Sequence, residues 1–380
     1  MLYLHIPFCH RKCTYCAFFS AVTSGSRQDY VDALCREAEL RCAEQPHPLR
    51  TVYFGGGTPS ILSLGQLRQI VDTIARCFDL SQLQEATLEA NPEDLTPEYL
   101  RGLRNLHFFN RLSIGLQSFS DDDLRLLNRR HSAAQSRQAV LAAADAGFHN
   151  LSVDLIYGLP DQSLDRWQHN LAQLSSLPIT HLSAYALTVE PGTMLQRQVD
   201  QHRVVPADED TVLSHYHALL RWAAQAGFEQ YEISNFCRPG FPSRHNSRYW
   251  DRTPYLGLGA AAHSFDGSCR RWNVAHLQRY ILSVAHGNPD HQSETLSPTD
   301  AFNELLITSL RTVQGISKVL VPAPFLQGLT RRAAPLVAAG LLQETPTHFR
   351  PTPAGLLQAD GIAVQLMADS QPHPASSTIE

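Results

Sequence analysis

Leu2-Tyr3-Leu4-His5-Ile6-Pro7-Phe8-Cys9-His10-Arg11-Lys12-Cys13-Thr14-Tyr15-Cys16 opens the chain with a short apolar strand, a proline stop and three cysteines spaced C-x3-C-x2-C. Seven extended residues reach about 24 Å, so three thiols converge from this spacing only if the segment is a tight loop. Soft thiolates at such spacing suit an iron–sulfur cluster or zinc. Three ligands is an incomplete set for structural zinc, which fills four positions, unless His5 or His10 completes it. A Cys13-x-x-Cys16 redox pair is the other alternative, and it leaves Cys9 unexplained. A [4Fe–4S] cluster on three cysteines keeps one iron open to a non-protein ligand. The other five cysteines are scattered and read as small buried residues.

Five more β-rich runs follow, at Thr51–Phe54, Ala86–Ala90, Arg111–Gly115, Leu151–Tyr157 and Leu182–Leu187. Amphipathic segments alternate with them at 27–43, 64–78, 96–106, 133–146 and 164–177. Strand–helix alternation predicts parallel strands joined by right-handed crossovers. Six units fall short of the eight of a closed barrel, so an α/β fold with a partial (β/α)6 barrel over residues 1–190 is expected, its chemistry at the carboxyl ends of the strands. Residues 191–288 are expected to close the open side. A linker is read at 289–298, then a small, mostly helical, winged-helix-like domain over 299–369 and a disordered tail at 370–380.

Of the 380 residues, 43% are hydrophobic and 18% charged, with a formal net charge of −5. That balance argues against a nucleic-acid partner held by phosphate neutralisation. The start carries no cationic leader, no apolar run is long enough to span a bilayer, and a cytoplasmic location is expected.

The loop resembles the cluster-binding signature of the radical S-adenosylmethionine (SAM) superfamily. The resemblance implies a [4Fe–4S] cluster on Cys9, Cys13 and Cys16, with SAM on the open iron as the source of a 5′-deoxyadenosyl radical. Phe54-Gly55-Gly56-Gly57-Thr58-Pro59, after the second strand, looks like that superfamily's methionine-amine cradle, with Gly56, Gly57 and Thr58 in contact. By itself such a loop is only a place where backbone approaches a ligand or a tight turn forms. It lacks the Gly-Lys-Ser/Thr of a phosphate loop.

Arg111-Leu-Ser-Ile-Gly-Leu-Gln117-Ser-Phe, Asn128-Arg129 and Val153-Asp154-Leu-Ile-Tyr-Gly-Leu-Pro160 resemble the oxygen-independent coproporphyrinogen III oxidases and their relatives. Position by position, that resemblance implies SAM contacts from Tyr3, Tyr15, Glu89, Gln117, Arg129, Asp154 and Ala186. Arg129 suits a carboxylate, Glu89 and Asp154 suit hydroxyl or amine donors, and Tyr15 suits an adenine face. No residue is assigned a catalytic role, and whether the chain is an enzyme is left open.

The group divides into oxidases and heme chaperones. The oxidases usually continue C-x-C past the third ligand, where this chain has Ala17-Phe18. Arg244-His245-Asn246-Ser-Arg-Tyr249-Trp250 resembles the hallmark of the chaperone branch. That branch implies heme as a further ligand, His245 as its axial residue with His263 a weaker candidate, and transfer to an acceptor hemoprotein of unknown identity. The oxidative decarboxylation of coproporphyrinogen III is the alternative function. Two docking partners are left to the C-terminal domain, the acceptor or, as a peripheral contact, a membrane surface.

Overall fold

Six parallel strands succeed one another in space as they do in sequence, and each turns an apolar side outward and a polar side inward. The computed structural model describes residues 1–23 and 25–369. Its main sheet begins β1 (Leu2–Ile6), α1 (Arg27–Arg41), β2 (Thr51–Gly56), α2 (Leu64–Cys77), β3 (Glu85–Ala90), α3 (Pro97–Asn105) and β4 (Arg111–Gln117). It continues through α4 (Asp121–Leu126), α5 (Ala133–Asp145), β5 (Asn150–Tyr157), α6 (Leu164–Leu174) and β6 (His181–Ala186). Leu2, Leu4, Val52, Phe54, Ala86, Leu88, Leu112, Ile114, Leu151 and Val153 are buried beneath the helices. The alternate residues meet inside the curve of the sheet, where Tyr3 stacks on Tyr53 and Ser152 bonds His181. Period-two alternation thus sorts an apolar shell from a polar lumen.

Side-chain caps start the crossover helices where the sequence places Ser or Thr before them. Ser63 and Gln66 form a capping box on α2, as do Ser132 and Gln135 on α5.

The sheet is larger than the six strands expected. After α7 (Met194–Asp200) and α8 (Glu209–Ala226) come β7 (Glu229–Gln230) and β8 (Asn235–Cys237), and β8 runs antiparallel to β6. Following α9 (Arg244–Trp250), β9 (Leu256–Leu258) joins β1 in parallel, giving the order β7-β8-β6-β5-β4-β3-β2-β1-β9. The segment 191–288 therefore extends both edges of the barrel.

A second correction concerns the expected linker at 289–298. Beyond β10 (His263–Phe265), β11 (Cys269–Asn273) and α10 (Leu277–Ala285), residues His291–Thr295 form β12, which pairs antiparallel with β11. All five residues of β12 are exposed, so no apolar alternation marks them as a strand.

The C-terminal unit holds α11 (Pro298–Leu310), β13 (Ile316–Ser317), α12 (Ala323–Ala338), β14 (Leu342–Glu344), β15 (His348–Pro351), α13 (Pro353–Leu357) and α14 (Ala359–Leu366). Its small sheet has the order β13-β15-β14, and its own core includes Phe302, Leu306, Leu329, Phe349 and Ile362. The tail expected to be disordered lies outside the described residues. Among the described residues no helix is long and apolar enough to cross a membrane.

One buried charge ties distant parts of the chain together. Glu37 on α1 is fully buried and pairs with Arg41 at 2.9 Å. It also accepts from the Gly259 amide at 2.8 Å, Asn273 Nδ2 at 2.7 Å and the Tyr280 hydroxyl at 2.7 Å.

Candidate functional site

At the carboxyl ends of β1 to β6 the lumen opens into a cavity of about 660 Å³. That is within the range of roughly 300–1,000 Å³ usual for small-ligand sites. The C-x3-C-x2-C loop forms one wall. Pro7 ends β1 and turns the chain, and the Cys9 amide bonds the Ala21 carbonyl at 3.1 Å, closing the loop on itself. Cys9, Cys13 and Cys16 all line the cavity, and none forms a disulfide. Burial pushes the Cys9 and Cys16 thiols up, so metal ligation is what would hold them as thiolates.

Among the described residues, no three His, Cys, Asp or Glu side chains close on one ion. The histidines weighed as zinc ligands are directed elsewhere. His5 bonds the Phe19 carbonyl and the Tyr3 hydroxyl, and His10 faces Asp94 at 3.4 Å. Three thiols along one wall without a protein fourth fit a cluster better than a single zinc.

The glycines at the end of β2 each clear a different neighbour. A Cβ on Gly55 would stand 2.8 Å from Tyr53 Cε1 and 3.1 Å from Glu89 Oε1; on Gly56, 2.6 Å from the His5 ring; on Gly57, 2.8 Å from the Phe8 carbonyl. Gly56 also has φ +109°, a conformation that disfavours any side chain. Thr58 follows, with its hydroxyl 3.5 Å from Cys9 Sγ.

Opposite the cysteines stand two carboxylates. Glu89 ends β3, accepting from the Tyr53 hydroxyl at 2.7 Å and the Gly56 amide at 3.1 Å. Burial raises it to about 7, against the pull of those two bonds. Burial likewise raises Asp154, on β5, to about 6, with Ser183 and Arg111 opposing. Both are poised to accept from ligand hydroxyls or an ammonium.

Arg129 is fixed by three contacts, to Asn91 Oδ1 at 2.6 Å, the Gly115 carbonyl at 2.7 Å and Cys13 Sγ at 3.4 Å. Asn128, in the left-handed region, bonds the Lys12 carbonyl at 2.8 Å and turns Arg129 inward. Gln117 also has a positive φ, 68°, where β4 slips register against β5. Strained backbone of this kind collects at ligand sites.

Tyr15, Gly56, Gly57, Thr58, Glu89, Gln117, Arg129, Asp154 and Ala186 therefore share the cavity with the three cysteines. Asn91, Ser113 and Tyr185 line it too and were not anticipated; each lies on, or just past, one of the strands that deliver the anticipated residues. Two expected contacts lie elsewhere. Tyr3 sits in the lumen, stacked on Tyr53 at 6.2 Å and bonded to His5, outside the cavity lining.

His245 is at the opposite end of the sheet. It is fully buried against the first residues of β2 and β3, with the Tyr53 side chain between it and Glu89 of the cavity. Its Nδ1 meets Thr51 Oγ1 at 2.9 Å, its Nε2 meets the Tyr249 hydroxyl at 3.0 Å, and its amide donates to Glu85. Burial, reinforced by the chain's amino terminus and Arg111, lowers it to about 3 and keeps it neutral. In this conformation both ring nitrogens are engaged, by Thr51 and by Tyr249. His263, the weaker candidate, is exposed and stacks on Trp272 at 5.9 Å.

Partial barrel, three-cysteine loop and polar cradle together define a radical SAM protein, a class that carries a [4Fe–4S] cluster and SAM. Residues 3–174 match the Radical SAM superfamily model, and 296–357 match the HemN C-terminal domain. The solved coproporphyrinogen III oxidase HemN of Escherichia coli superposes with a TM-score of 0.83 at 25% identity, over 96% of this chain and 89% of that one. Heme chaperone HemW of Bacillus subtilis is 36% identical, over 83% of this chain and 84% of its own length. Heme chaperone HemW of Mycobacterium tuberculosis is 35% identical, over 96% and 94%. The chain belongs to the HemW family.

Proposed function

We propose that this protein is a heme chaperone, which binds heme beside a [4Fe–4S] cluster and SAM and passes the heme to an acceptor hemoprotein. The observation that carries the reading is similarity to proteins named heme chaperones along nearly the whole chain. Cys16 leads into Ala17 and an exposed Phe18, without the further cysteine usual in the oxidases. The likeness to HemN keeps the oxidase as the second reading.

We assign His245 as the axial ligand of a loaded conformation. Its helix is only seven residues long, held by the contacts to Thr51, Tyr53 and Glu85. Withdrawal of that helix frees Nδ1 from Thr51, while Nε2 keeps its bond to Tyr249 on the same helix until that hydroxyl turns away. The unpaired thiols suit a reducing cytoplasm. In the C-terminal unit, over residues 299–369, five acidic residues balance five basic ones, so no net positive charge favours a membrane surface.

An anaerobic heme titration of the cluster-loaded chain, with His245→Ala beside it, tests the reading. Saturation near one heme per chain, much weakened in the variant, is expected. A wild-type protein that fails to bind heme but converts coproporphyrinogen III would establish the oxidase instead.

A further inference from the structure

The lumen between the cavity and His245 is not an inert filling. Tyr53, on β2, touches both ends of it. Its hydroxyl donates to Glu89 at 2.7 Å, and its ring stacks on His245 with centroids 5.0 Å apart and planes 28° from parallel. Tyr3 packs on Tyr53 at 6.2 Å. Gly55 supplies the room, because a Cβ there would press on both the Tyr53 ring and the Glu89 carboxylate. On the far side Tyr249 holds His245 and packs edge-on against Tyr255 at 4.8 Å. A side chain of the SAM cradle and the histidine of α9 are thus wedged against one tyrosine.

We propose that Tyr53 is a positioning residue joining the SAM cradle to the seat of His245, so that SAM in the cradle and heme on His245 weaken one another's binding. The proposal rests on His245 as the heme ligand. With both ring nitrogens bonded and the ring fully buried, His245 reaches an iron only by leaving the Tyr53 stack. Departure removes one wall from Tyr53, and its hydroxyl is no longer fixed on Glu89. SAM bound to an oriented Glu89 holds Tyr53, and through it His245, in place. A difference in affinity created this way is reciprocal by thermodynamic necessity.

Tyr53 also bears on how the cradle responds to pH. The charged and titratable groups facing Glu89 include Asp154 on β5, Arg111 on β4, Tyr53 on β2, Tyr3 on β1, Tyr185 on β6 and Tyr249 on α9. Only Tyr53 bonds it directly, favouring the ionised form that accepts from a ligand.

The test uses the full, cluster-loaded chain under anaerobic conditions. SAM affinity is measured by equilibrium dialysis with and without saturating heme, and heme affinity by absorbance with and without SAM. Each ligand should weaken the other by the same factor, about tenfold. Tyr53→Phe keeps the ring, and near-ultraviolet circular dichroism verifies its fold. In that variant the factor should fall toward one, and the pH midpoint of SAM binding should rise by about one unit. Heme affinity indifferent to SAM in a protein whose heme binding requires His245 overturns the coupling and leaves the chaperone reading intact. Heme binding undiminished in His245→Ala overturns the ligand assignment and the coupling with it. A Tyr53→Phe protein with unchanged midpoint and unchanged coupling removes Tyr53 from the account.

Discussion

Gly56→Ala is the substitution whose cost is best defined by the geometry. Two penalties combine. An L-residue at φ +109° occupies a conformation that costs about 1–3 kcal/mol. The new Cβ would lie 2.6 Å from both Cε1 and Nδ1 of His5, and the ring is packed between Tyr3 and Phe19. His5 must then swing aside and surrender its bonds to the Phe19 carbonyl and the Tyr3 hydroxyl, at about 0.5–1.5 kcal/mol each. The sum is about 2–6 kcal/mol, a large share of the roughly 5–15 kcal/mol that holds a typical domain folded. The Gly56 amide also donates to Glu89, so the same shift should loosen SAM. Urea unfolding of the cluster-free chain measures the first effect and dialysis of the cluster-loaded chain the second. Gly361→Ala is the control, since a Cβ there meets nothing within 4 Å and its φ is ordinary. If Gly56→Ala unfolded at the wild-type midpoint and bound SAM equally, the placement of His5 beneath the cradle would be wrong.

Other outcomes follow from the same cavity. SAM affinity should climb by about tenfold or more from pH 6 to pH 8, as Glu89 near 7 and Asp154 near 6 ionise and become acceptors. In the SAM-free chain the sign is opposite: folded pKa values above the unfolded ones stabilise at low pH, and that contribution is lost as pH rises through 6 and 7. Glu89→Gln should flatten both trends, and a variant retaining the full pH dependence would show that another group governs it. Arg129→Lys loses the forked contact to Asn91 and Gly115, so SAM binding should weaken by about tenfold or more, read by dialysis. Replacing Cys9, Cys13 and Cys16 by alanine should abolish iron content and visible absorption while leaving circular dichroism unchanged; retained iron would refute the ligand set.

What the sequence revealed depended on how strongly each element is buried. The six central strands were legible to within one or two residues because each presents apolar side chains to the helices on one face. β9 escaped notice because three residues, Leu256–Leu258, are too few to establish a period. β12 escaped because neither of its faces is covered. Within the site, motif spacing located most of the cradle, since strand ends deliver their residues to one rim. Depth was the missing coordinate. Alternation says that Tyr3 faces the lumen, but not that it sits beside Tyr53, below the cavity. Nor does a His-Asn-x-x-Tyr-Trp pattern reveal which end of the barrel receives its helix. That is decided by Glu85 and Thr51, at the amino ends of β3 and β2. Tyr53 was hidden for the same reason, as one more aromatic residue in a strand.

The burial of Glu37 constrains the order in which the molecule is assembled. Its helix leaves the ribosome early, yet three of its partners, Gly259, Asn273 and Tyr280, are made more than two hundred residues later. Until they arrive only Arg41 faces the carboxylate, and a charge cannot be sealed from water on so little compensation. The first helix must therefore stay hydrated, and the edge of the sheet beside β1 unfinished, through most of synthesis. Completion of the barrel is thereby timed to the arrival of its late edge, and a chain cut short before Tyr280 would leave a solvent-open first helix for proteases to recognise.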